Sequence, residues 1–392
     1  MVEWKKLGDI MQIVRGASPR PIKNYITSDI NGVNWIKIGD VAPGAKYVTR
    51  CNEKITKEGA EKSRYLHTGD FILSNSMSFG RPYILKIDGC IHDGWIAMSD
   101  YKKSVSSGYL YEILNSNSVQ DYWKMKANNG GAMTNLNSDI VRDTKIPIPS
   151  LEEQNRIVGI LDTFTASIDN LKEQIALRRK QYEHYRDQLL DLEGKEGVEM
   201  KTLGELFSFK NGLNKGKEFF GKGRPIIMFS NVFNSRSIDA SMINNRVDIS
   251  DEELERINAK VGDVFFTRTS ETRDDVGYAS VLVQDIAECT FAGFLIRARP
   301  TTEMLLPKYC KYCFSTQKVR KTIVSNCSFT TRASLTGTGL GIISLPVPSL
   351  SEQQRIVDIL DKFEASIQNL EAQLSQREKQ YEYYRNKLLT FE

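Results

Sequence analysis

The 392-residue sequence has few of the residues that build disulfide frameworks, metal sites or membrane spans. It contains six cysteines at irregular spacing and three scattered histidines, His67, His92 and His184. Irregular cysteines in a chain of this length are typical of reduced thiols in a cytoplasm. The sequence has no run of 18 apolar residues, and its first residues lack the apolar stretch of a secretory signal. We therefore expect a cytoplasmic protein that does not enter a membrane.

Motifs that carry catalysis are also missing from the sequence. There is no G-x-x-x-x-G-K-[ST] phosphate-binding loop and no Asn/Asp-Pro-Pro-Tyr of the kind that amino-methyltransferases use. Cys310 and Cys313 have the spacing of metal ligands, but no second pair accompanies them. The glycine-rich stretch 337–341 stands alone and is interpreted as structural. The sequence therefore predicts neither catalytic residues nor a metal site, and the chain is not expected to be an enzyme by itself.

The most informative feature is an internal duplication. Residues 151–193 and 350–392 align without a gap, and 26 of the 43 positions are identical. Each copy follows a Pro-x-Pro-Ser sequence, at 147–150 and 346–349. Weaker matches lie upstream, where Leu-Gly-[Asp/Glu] recurs at 7–9 and 203–205 and Gly-Asp precedes an apolar run at 69–70 and 262–263. The chain is therefore a tandem repeat with similar helical ends and diverged globular parts.

This repeat predicts a definite domain order. The apolar runs after the Gly-Asp turns, such as Phe71–Leu73 and Val264–Phe266, are typical of buried strands in domains of mixed α and β structure. We predict an α+β protein with two globular heads separated by a long antiparallel two-helix coiled coil and related by a pseudo-twofold axis. The predicted segments are head 1 (1–150), spacer helix 1 (151–193), a linker (194–199), head 2 (200–349) and spacer helix 2 (350–392).

Apolar residues follow a strict 4-3 spacing through both copies, which is the heptad signature of a coiled coil. Ser150 and Glu153, and likewise Ser349 and Glu352, are placed as in a helix capping box. Amphipathic helices that pack only on their own heads remain an alternative. The antiparallel direction is expected because head 2 cannot bridge the distant ends of two parallel helices about 63 Å long. The predicted seam includes Ile157, Leu161, Phe164, Ile168, Leu171, Ile356, Leu360, Phe363, Ile367 and Leu370.

Two arginines interrupt this seam at equivalent positions, Arg178 and Arg377. A polar residue inside a seam can fix the register of the two helices. Alternatively, both side chains can extend along the helix surface to reach solvent. The sequence leaves these two interpretations open.

Positive charge is concentrated in the two heads. Each head carries 20 Lys and Arg against 15 Asp and Glu, a net charge of +5, whereas the repeated helices carry net charges of −3 and −2. Two basic heads joined by a long spacer are typical of a protein that contacts an extended polyanion at two places.

Polar and cationic loops in the heads are the candidate DNA contacts. They lie after the Gly-Asp strands, near the start of each head and near its end. Arg, Lys, Asn, Ser and Thr side chains bond phosphates and base edges, and a strand can hold them in place. Solvated surface is the alternative for each loop. The candidates in head 1 are Arg15, Ser18, Arg20, Ser74, Asn75, Ser76, Arg81 and Asn135, and those in head 2 are Lys210, Asn211, Lys215, Arg268, Thr269, Arg273 and Arg332.

The sequence resembles the specificity subunits of type I restriction-modification systems. The resemblance covers the full length, and its most specific marks are the two P-x-P-S-L-x-E-Q-x-R-I-V segments at 147–158 and 346–357. It implies that each head is a target-recognition domain for one half of a bipartite, asymmetric site in double-stranded DNA, and that the helices set the spacing. It further implies no activity alone, docking of two modification subunits that use S-adenosylmethionine to methylate adenine, and two restriction subunits in the full complex.

Two other classes of function stay open. A scaffold protein would share the paired helices but would not need basic heads with polar loops. An autonomous DNA enzyme would need a catalytic motif, and methyl transfer by the purified chain without partners would favour that class.

Overall fold

The computed structural model describes residues 2–42, 44–75, 79–127 and 135–391, which divide into two structural units. Unit 1 comprises Met1–Lys172 and Gln373–Glu392, and unit 2 comprises Glu173–Ala372. Each unit therefore contains one head together with the first part of one long helix and the last part of the other. Among the described residues, every helix is too short or too polar to cross a membrane.

Unit 1 begins with short strands and helices that precede its long helix. Its strands are β1 (Glu3–Lys6), β2 (Gln12–Arg15), β3 (Ile26–Thr27), β4 (Val33–Ile36), β5 (Tyr47–Val48), β6 (Glu53–Ile55), β7 (Arg64–Leu66), β8 (Phe71–Ser74), β9 (Pro82–Leu85), β10 (Gly89–Ile91), β11 (Trp95–Ser99) and β12 (Lys145–Ile148). Its helices are α1 (Leu7–Ile10), α2 (Lys57–Glu61), α3 (Ser107–Leu114), α4 (Asn117–Ala127), α5 (Ser138–Asp143) and the first part of α6 (Leu151–Leu190).

Two five-stranded sheets and a ribbon organise head 1. One sheet has the order β2-β11-β8-β9-β5, the other has the order β3-β6-β4-β10-β7, and β1 pairs with β12. Strand β8 is buried along its whole length and follows the turn at Gly69, whose φ of +96° suits glycine. The carboxylate of Asp70 accepts the backbone N–H of His67 at 2.9 Å, and Asp263 accepts that of Lys260 at 2.8 Å, so both aspartates close turns.

Unit 2 has the same kinds of central strands and a long helix, with different elements between them. Its strands are β13 (Glu199–Thr202), β14 (Phe207–Asn211), β15 (Phe220–Ile227), β16 (Ser237–Ile238), β17 (Arg246–Val247), β18 (Val264–Thr267), β19 (Thr269–Ser270), β20 (Ala279–Leu282), β21 (Thr290–Phe291), β22 (Leu295–Pro300), β23 (Ser328–Phe329), β24 (Ala333–Ser334) and β25 (Ser344–Val347). Its helices are α7 (Leu203–Leu206), α8 (Phe229–Asn234), α9 (Asp251–Arg256), α10 (Pro307–Cys313), α11 (Gln317–Ser325), α12 (Gly337–Gly341) and most of α13 (Leu350–Leu388).

The central sheet of head 2 matches that of head 1 strand for strand. Its order is β14-β22-β18-β20-β16, and in both sheets the last strand runs parallel to its neighbour while the other pairs are antiparallel. The ribbon β13-β25 corresponds to β1-β12. Head 2 differs elsewhere, because it has two three-stranded sheets, β17-β15-β21 and β19-β24-β23.

A buried glutamine fixes the start of each long helix to its own head. Gln154 has no exposed surface; its amide donates to the carbonyls of Ser104 and Pro149 and its oxygen accepts the N–H of Ser106 at 2.9 Å. Gln353 makes the same three bonds, to Met304, Pro348 and Leu306. The serine part of each predicted capping box is present, whereas the carboxylates of Glu153 and Glu352 bind Arg156 and Arg355 instead.

The long helices run antiparallel in unit 1. The ring of Phe164 stacks on Tyr384 at 5.3 Å between centroids, and Lys172 lies 3.5 Å from Glu378. As residue numbers rise along α6, the numbers of the residues that they contact on α13 fall, so the two helices run in opposite directions. Ile157 and Leu161 belong to the core of head 1, and the same apolar cluster includes Leu389 at the end of α13, with Tyr381 and Leu388 packed against it.

The same arrangement recurs in unit 2. Tyr185 stacks on Phe363 at 5.5 Å, and Arg179 lies 2.5 Å from Glu371. Ile356 and Leu360 belong to the core of head 2. The other predicted seam residues are partly or fully buried along the helices, namely Ile168, Leu171, Ile367 and Leu370. The mixed α/β heads and the packed long helices confirm the predicted fold class.

Arg178 and Arg377 occupy equivalent places over aromatic rings of the opposite helix. The guanidinium of Arg377 lies 5.6 Å from the ring centroid of Phe164, and that of Arg178 lies 5.9 Å from that of Phe363. Both arginines are half-buried. They therefore take part in the helix pairing through cation–π contacts, which favours the interpretation that they fix the register.

Candidate nucleic-acid interface

In head 1, the loop after β2 and the turn between β10 and β11 meet at one carboxylate. Ser18 donates its hydroxyl to Oδ1 of Asp93 at 2.9 Å, and the exposed guanidinium of Arg20 lies 3.6 Å from Oδ2. Arg15 donates to the backbone carbonyl of Asp93 at 3.0 Å. The hydrogen bond from Ser18, together with nearby positive charge, lowers the pKa of the Asp93 carboxyl, so this group is ionised at neutral pH.

The end of β8 joins the same surface. Asn75 donates its side-chain amide to the carbonyl of Asp93 at 3.1 Å, and its own carbonyl accepts the N–H of Leu136 at 2.8 Å. This last bond places the exposed Asn135 close to Asn75 at the end of β8. The structure thus brings together residues from all three predicted loops of head 1.

The remaining candidates in head 1 differ in exposure. Arg81 is exposed at the start of β9, where its carbonyl accepts the N–H of Ser74. Ser74 itself has no exposed surface, and Asn75 is nearly buried. The exposed candidates of head 1 are therefore Arg15, Arg20, Arg81 and Asn135. Ser76 lies outside the described residues.

In head 2, the loop after β14 carries exposed polar groups at the same place in the fold. Lys210 and Asn211 end β14 and are exposed. Lys215 is held by Glu253, with 2.7 Å between Nζ and Oε2, and its ammonium lies 4.6 Å from the ring centroid of Phe219. The Lys215 hydrogen bond lowers the pKa of the Glu253 carboxyl. The contacts of Lys215 with Glu253 and Phe219 therefore stabilise the loop after β14.

The other two predicted loops of head 2 form one small sheet. Strand β19, which includes Thr269, pairs with β24, and β24 pairs with β23. The guanidinium of Arg273 lies 5.2 Å from the ring centroid of Phe329 on β23, and Arg332 lies 3.8 Å from Glu271. Arg268 is half-exposed next to Thr269. The structure therefore places Arg268, Thr269, Arg273 and Arg332 on one surface.

The two heads position these loops by the same backbone contacts. Asn75 donates its N–H to the carbonyl of Gly94 and accepts from Leu136; Arg268 donates to Phe294 and accepts from Leu335. The loop near the start of each head also lies very close to the turn before the last strand of the central sheet. A Cβ built on Gly16 would lie 2.1 Å from the carbonyl oxygen of His92, and one built on Gly212 would lie 2.1 Å from that of Ala292. The scaffold is shared between the heads, while the side chains on it differ.

Sequence reasoning missed Asp93 and Glu253, the carboxylates that position basic side chains. Asp93 precedes Gly94, and an Asp-Gly dipeptide in a sequence predicts a turn. The sequence does not reveal, however, that Arg15 and Ser18 lie against this turn, since they are more than 70 residues away.

The exposed groups of both surfaces are suited to donating hydrogen bonds rather than to metal binding or redox chemistry. Guanidinium, ammonium, amide and hydroxyl groups donate to phosphate oxygens and to the acceptor edges of bases. Within the described ranges, no group of three or more His, Cys, Asp and Glu side chains could hold a metal ion. Cys310 and Cys313 are buried in the core of head 2, and burial raises the pKa of both thiols.

Comparisons with known proteins identify similar chains. The specificity subunit of the Escherichia coli type I restriction enzyme EcoR124I/EcoR124II is 33% identical over 271 residues, which cover 63% of this chain and 63% of that protein. The MjaIX specificity subunit of Methanocaldococcus jannaschii is 25% identical over 296 residues, which cover 69% of this chain and 67% of that protein. The matches thus span about two thirds of the length of these curated relatives.

Solved structures share the fold over nearly the whole chain. A chain from a structure of complex assembly and conformational transition in a type I restriction-modification system has a TM-score of 0.72 at 18% identity, with 99% of this chain and 97% of that chain covered. The HsdS subunit from Thermoanaerobacter tengcongensis has a TM-score of 0.52 at 18% identity, with 99% and 95% covered.

A family model confirms the resemblance drawn from the repeated helix starts. The model for the type I restriction modification DNA specificity domain matches residues 1–178 and again residues 195–378. Because these two matches include most of the chain, it belongs to the family of type I restriction-modification specificity subunits, which are non-catalytic, and it carries two specificity domains.

Proposed function

We propose that each head binds one half of a bipartite, asymmetric sequence in double-stranded DNA. The observation that carries this proposal is the convergence, in each head, of three loops that are distant in sequence. A single surface formed by several loops on a rigid sheet can present side chains to consecutive base pairs. Exposed basic groups such as Arg15, Arg20 and Arg81 on head 1 and Lys210 on head 2 supply the phosphate contacts.

The difference between the heads supports an asymmetric site. At equivalent scaffold positions, head 1 has Asn75 and Gly94 where head 2 has Arg268 and Phe294. Two identical DNA-binding surfaces related by a twofold axis would select a palindrome. Surfaces with different side chains select two unrelated half-sites, and α6 and α13 would then set the number of base pairs between them.

Equal surfaces at the two helix starts support docking of two copies of one partner. Leu151 is 52% exposed and Leu350 is 48% exposed at equivalent positions. Each is followed by the same exposed ion pair, Glu153 with Arg156 and Glu352 with Arg355. We infer that a modification subunit, which binds S-adenosylmethionine and methylates adenine, docks at each start, and that two restriction subunits join the full complex.

The docking can be tested by the composition of the purified complex. Replacement of Leu151 with Asp should leave one modification subunit bound, as should replacement of Leu350 with Asp, and the double variant should bind none. Native mass spectrometry measures this composition. Thr163→Ala, a change at an exposed residue further along α6, is the control and should retain both subunits. Two bound subunits in the double variant would place the docking surface elsewhere.

The function itself is tested by co-expression with a modification subunit, followed by sequencing of the host DNA for methyl-adenine. We expect a two-part motif with an unspecified gap, lost when this chain is omitted. Arg81→Ala should relax one half of the motif and Arg268→Ala the other, while Lys57→Ala, at an exposed residue of head 1 outside the three loops, should change neither. Methylation without a two-part motif would contradict the proposal, and methyl transfer by the chain alone would favour an autonomous enzyme.

A further inference from the structure

Head 2 carries an exposed aromatic ring at a turn that is central to the proposed DNA-binding surface. Phe294 immediately precedes β22, and 61% of its surface is exposed to solvent. Its carbonyl accepts the N–H of Arg268 at 2.8 Å, so the ring stands directly beside the predicted DNA contacts. Single exposed apolar side chains are common on protein surfaces, but this ring borders a cleft that other aromatic rings also line.

The corresponding turn in head 1 has no such ring. Gly94 occupies the equivalent position. Its carbonyl accepts the N–H of Asn75, just as the carbonyl of Phe294 accepts the N–H of Arg268. The two turns also close identically, with Trp95 bonded to His92 and Leu295 bonded to Ala292 at 3.1 and 3.0 Å. Phe294 is therefore an addition to a shared turn, and the fold does not require it.

Phe294 forms one wall of a cleft of about 430 Å³. Phe229 and Phe233 line the cleft as a stacked pair, with 5.5 Å between their ring centroids. Phe233 and Tyr278 are nearly perpendicular, with 5.0 Å between their ring centroids. Tyr278 is itself fixed between the guanidinium groups of Arg236 and Arg320, each 4.4 Å from its centroid. These ring and cation–π contacts connect the aromatic wall to half-buried side chains of head 2.

The rim of the cleft is polar. It is lined by Thr269, Ser270, Thr272 and Arg332, together with the carboxylates of Glu271 and Asp275. Both carboxylates are engaged, Glu271 with Arg332 at 3.8 Å and Asp275 with the hydroxyl of Thr272 at 2.6 Å. An apolar pocket thus opens between hydroxyl groups and an arginine, which are the side chains that bond phosphates and base edges.

We propose that this cleft contacts the C5-methyl group of a thymine in the half-site bound by head 2. The inference rests on the proposed function. The thymine methyl is the apolar group that base pairs expose in the major groove, and it lies beside the O4 acceptor, which a hydroxyl or an arginine on the rim can bond. Head 1, with Gly94 and the acceptor Asp93 at this turn, makes no equivalent methyl contact from it.

Deoxyuridine substitution tests the proposal, since it removes only the methyl group. The wild-type complex with its modification subunits is titrated with duplexes in which each thymine of both half-sites is replaced in turn. At one thymine of one half-site, wild type should bind deoxyuridine about fourfold more weakly, the loss of one buried methyl group. Phe294→Ala should bind the thymine and deoxyuridine duplexes equally, and Phe294→Leu should retain most of the difference.

Three results would overturn the proposal. One is a half-site for head 2 without an A·T pair, another is equal binding of all thymine and deoxyuridine duplexes by wild type, and the third is unchanged discrimination in Phe294→Ala. Weaker binding of both duplexes by Phe294→Ala, with less bending of the DNA, would assign the ring to a wedge between base pairs instead. If wild type binds no two-part site at all, the proposed function fails, a result distinct from these three.

Discussion

At the residue scale, the two buried glutamines explain why the Glu-Gln pair recurs in both helix starts. Gln154 satisfies three backbone groups of head 1, and Gln353 satisfies three of head 2. The sequence indicates that this position repeats, but it does not indicate its partners. These include carbonyls about 50 residues upstream, which only the folded head brings to the start of the helix.

Replacement of Gln154 with Leu should destabilise unit 1. Leucine has a similar size but leaves buried backbone groups without hydrogen bonds, at a cost of about 3 kcal/mol in the free energy of unfolding. Urea denaturation measures this change. The exposed neighbour provides the control, and Asn155→Ala should change stability by less than about 0.5 kcal/mol. A similar loss in both variants would mean that the hydrogen bonds of Gln154 are not responsible.

A buried glutamate in head 1 should make stability depend on pH. Desolvation raises the pKa of the Glu112 carboxyl above its ordinary value of 4.5, although its hydrogen bond from the hydroxyl of Tyr381 acts in the opposite direction. Folding therefore favours the protonated carboxyl. Its contribution to stability is complete below the ordinary pKa and is lost as the pH rises through the raised value.

Glu112→Gln should remove this dependence, because glutamine stays neutral and its oxygen can still accept from Tyr381. Relative to wild type, the variant should gain free energy of unfolding as the pH is raised from 4 to 7. Parallel urea titrations across this range provide the measurement. A constant difference between the two proteins would show that Glu112 has the same pKa folded and unfolded.

At the element scale, the repeated helices were predictable because their heptad pattern is local. The strand order was not, since pairs such as Glu3 with Ile148 join residues from opposite ends of a head. The same limit applies to Ile157 and Leu161. Their spacing predicts a helix seam, but it does not reveal that they also join the apolar core of head 1.

The stacked pairs between the helices should contribute measurably to each unit. Phe164→Ala removes the contacts with Tyr384 and Arg377 and should lower the free energy of unfolding by about 2 kcal/mol, less than for a fully buried ring. Phe363→Ala should do the same in unit 2. The exposed Thr163 serves as the control in Thr163→Ala. Denaturation curves unaffected by both phenylalanine changes would show that these stacks carry no stability.

At the scale of the whole molecule, the proposed spacing role makes a length prediction. Insertion of one heptad into both α6 and α13 preserves the register and lengthens each helix by about 10 Å. The methylated motif should then have a longer gap, by roughly three base pairs. Sequencing of methyl-adenine measures the gap, and insertion into one helix alone should abolish the modification because the pairs fall out of register. An unchanged gap with both insertions would refute the spacing role.

The end of α13 completes the core of head 1, and this has a consequence for how the chain is synthesised. Leu389 is buried in that core, and Tyr381 bonds Glu112. A ribosome that has just finished head 1 must translate more than 200 further residues before these groups emerge. Until then, the first domain made has an uncovered apolar surface, which makes it a target for chaperones and proteases. A premature stop near residue 380 would therefore damage the beginning of the protein more than its middle.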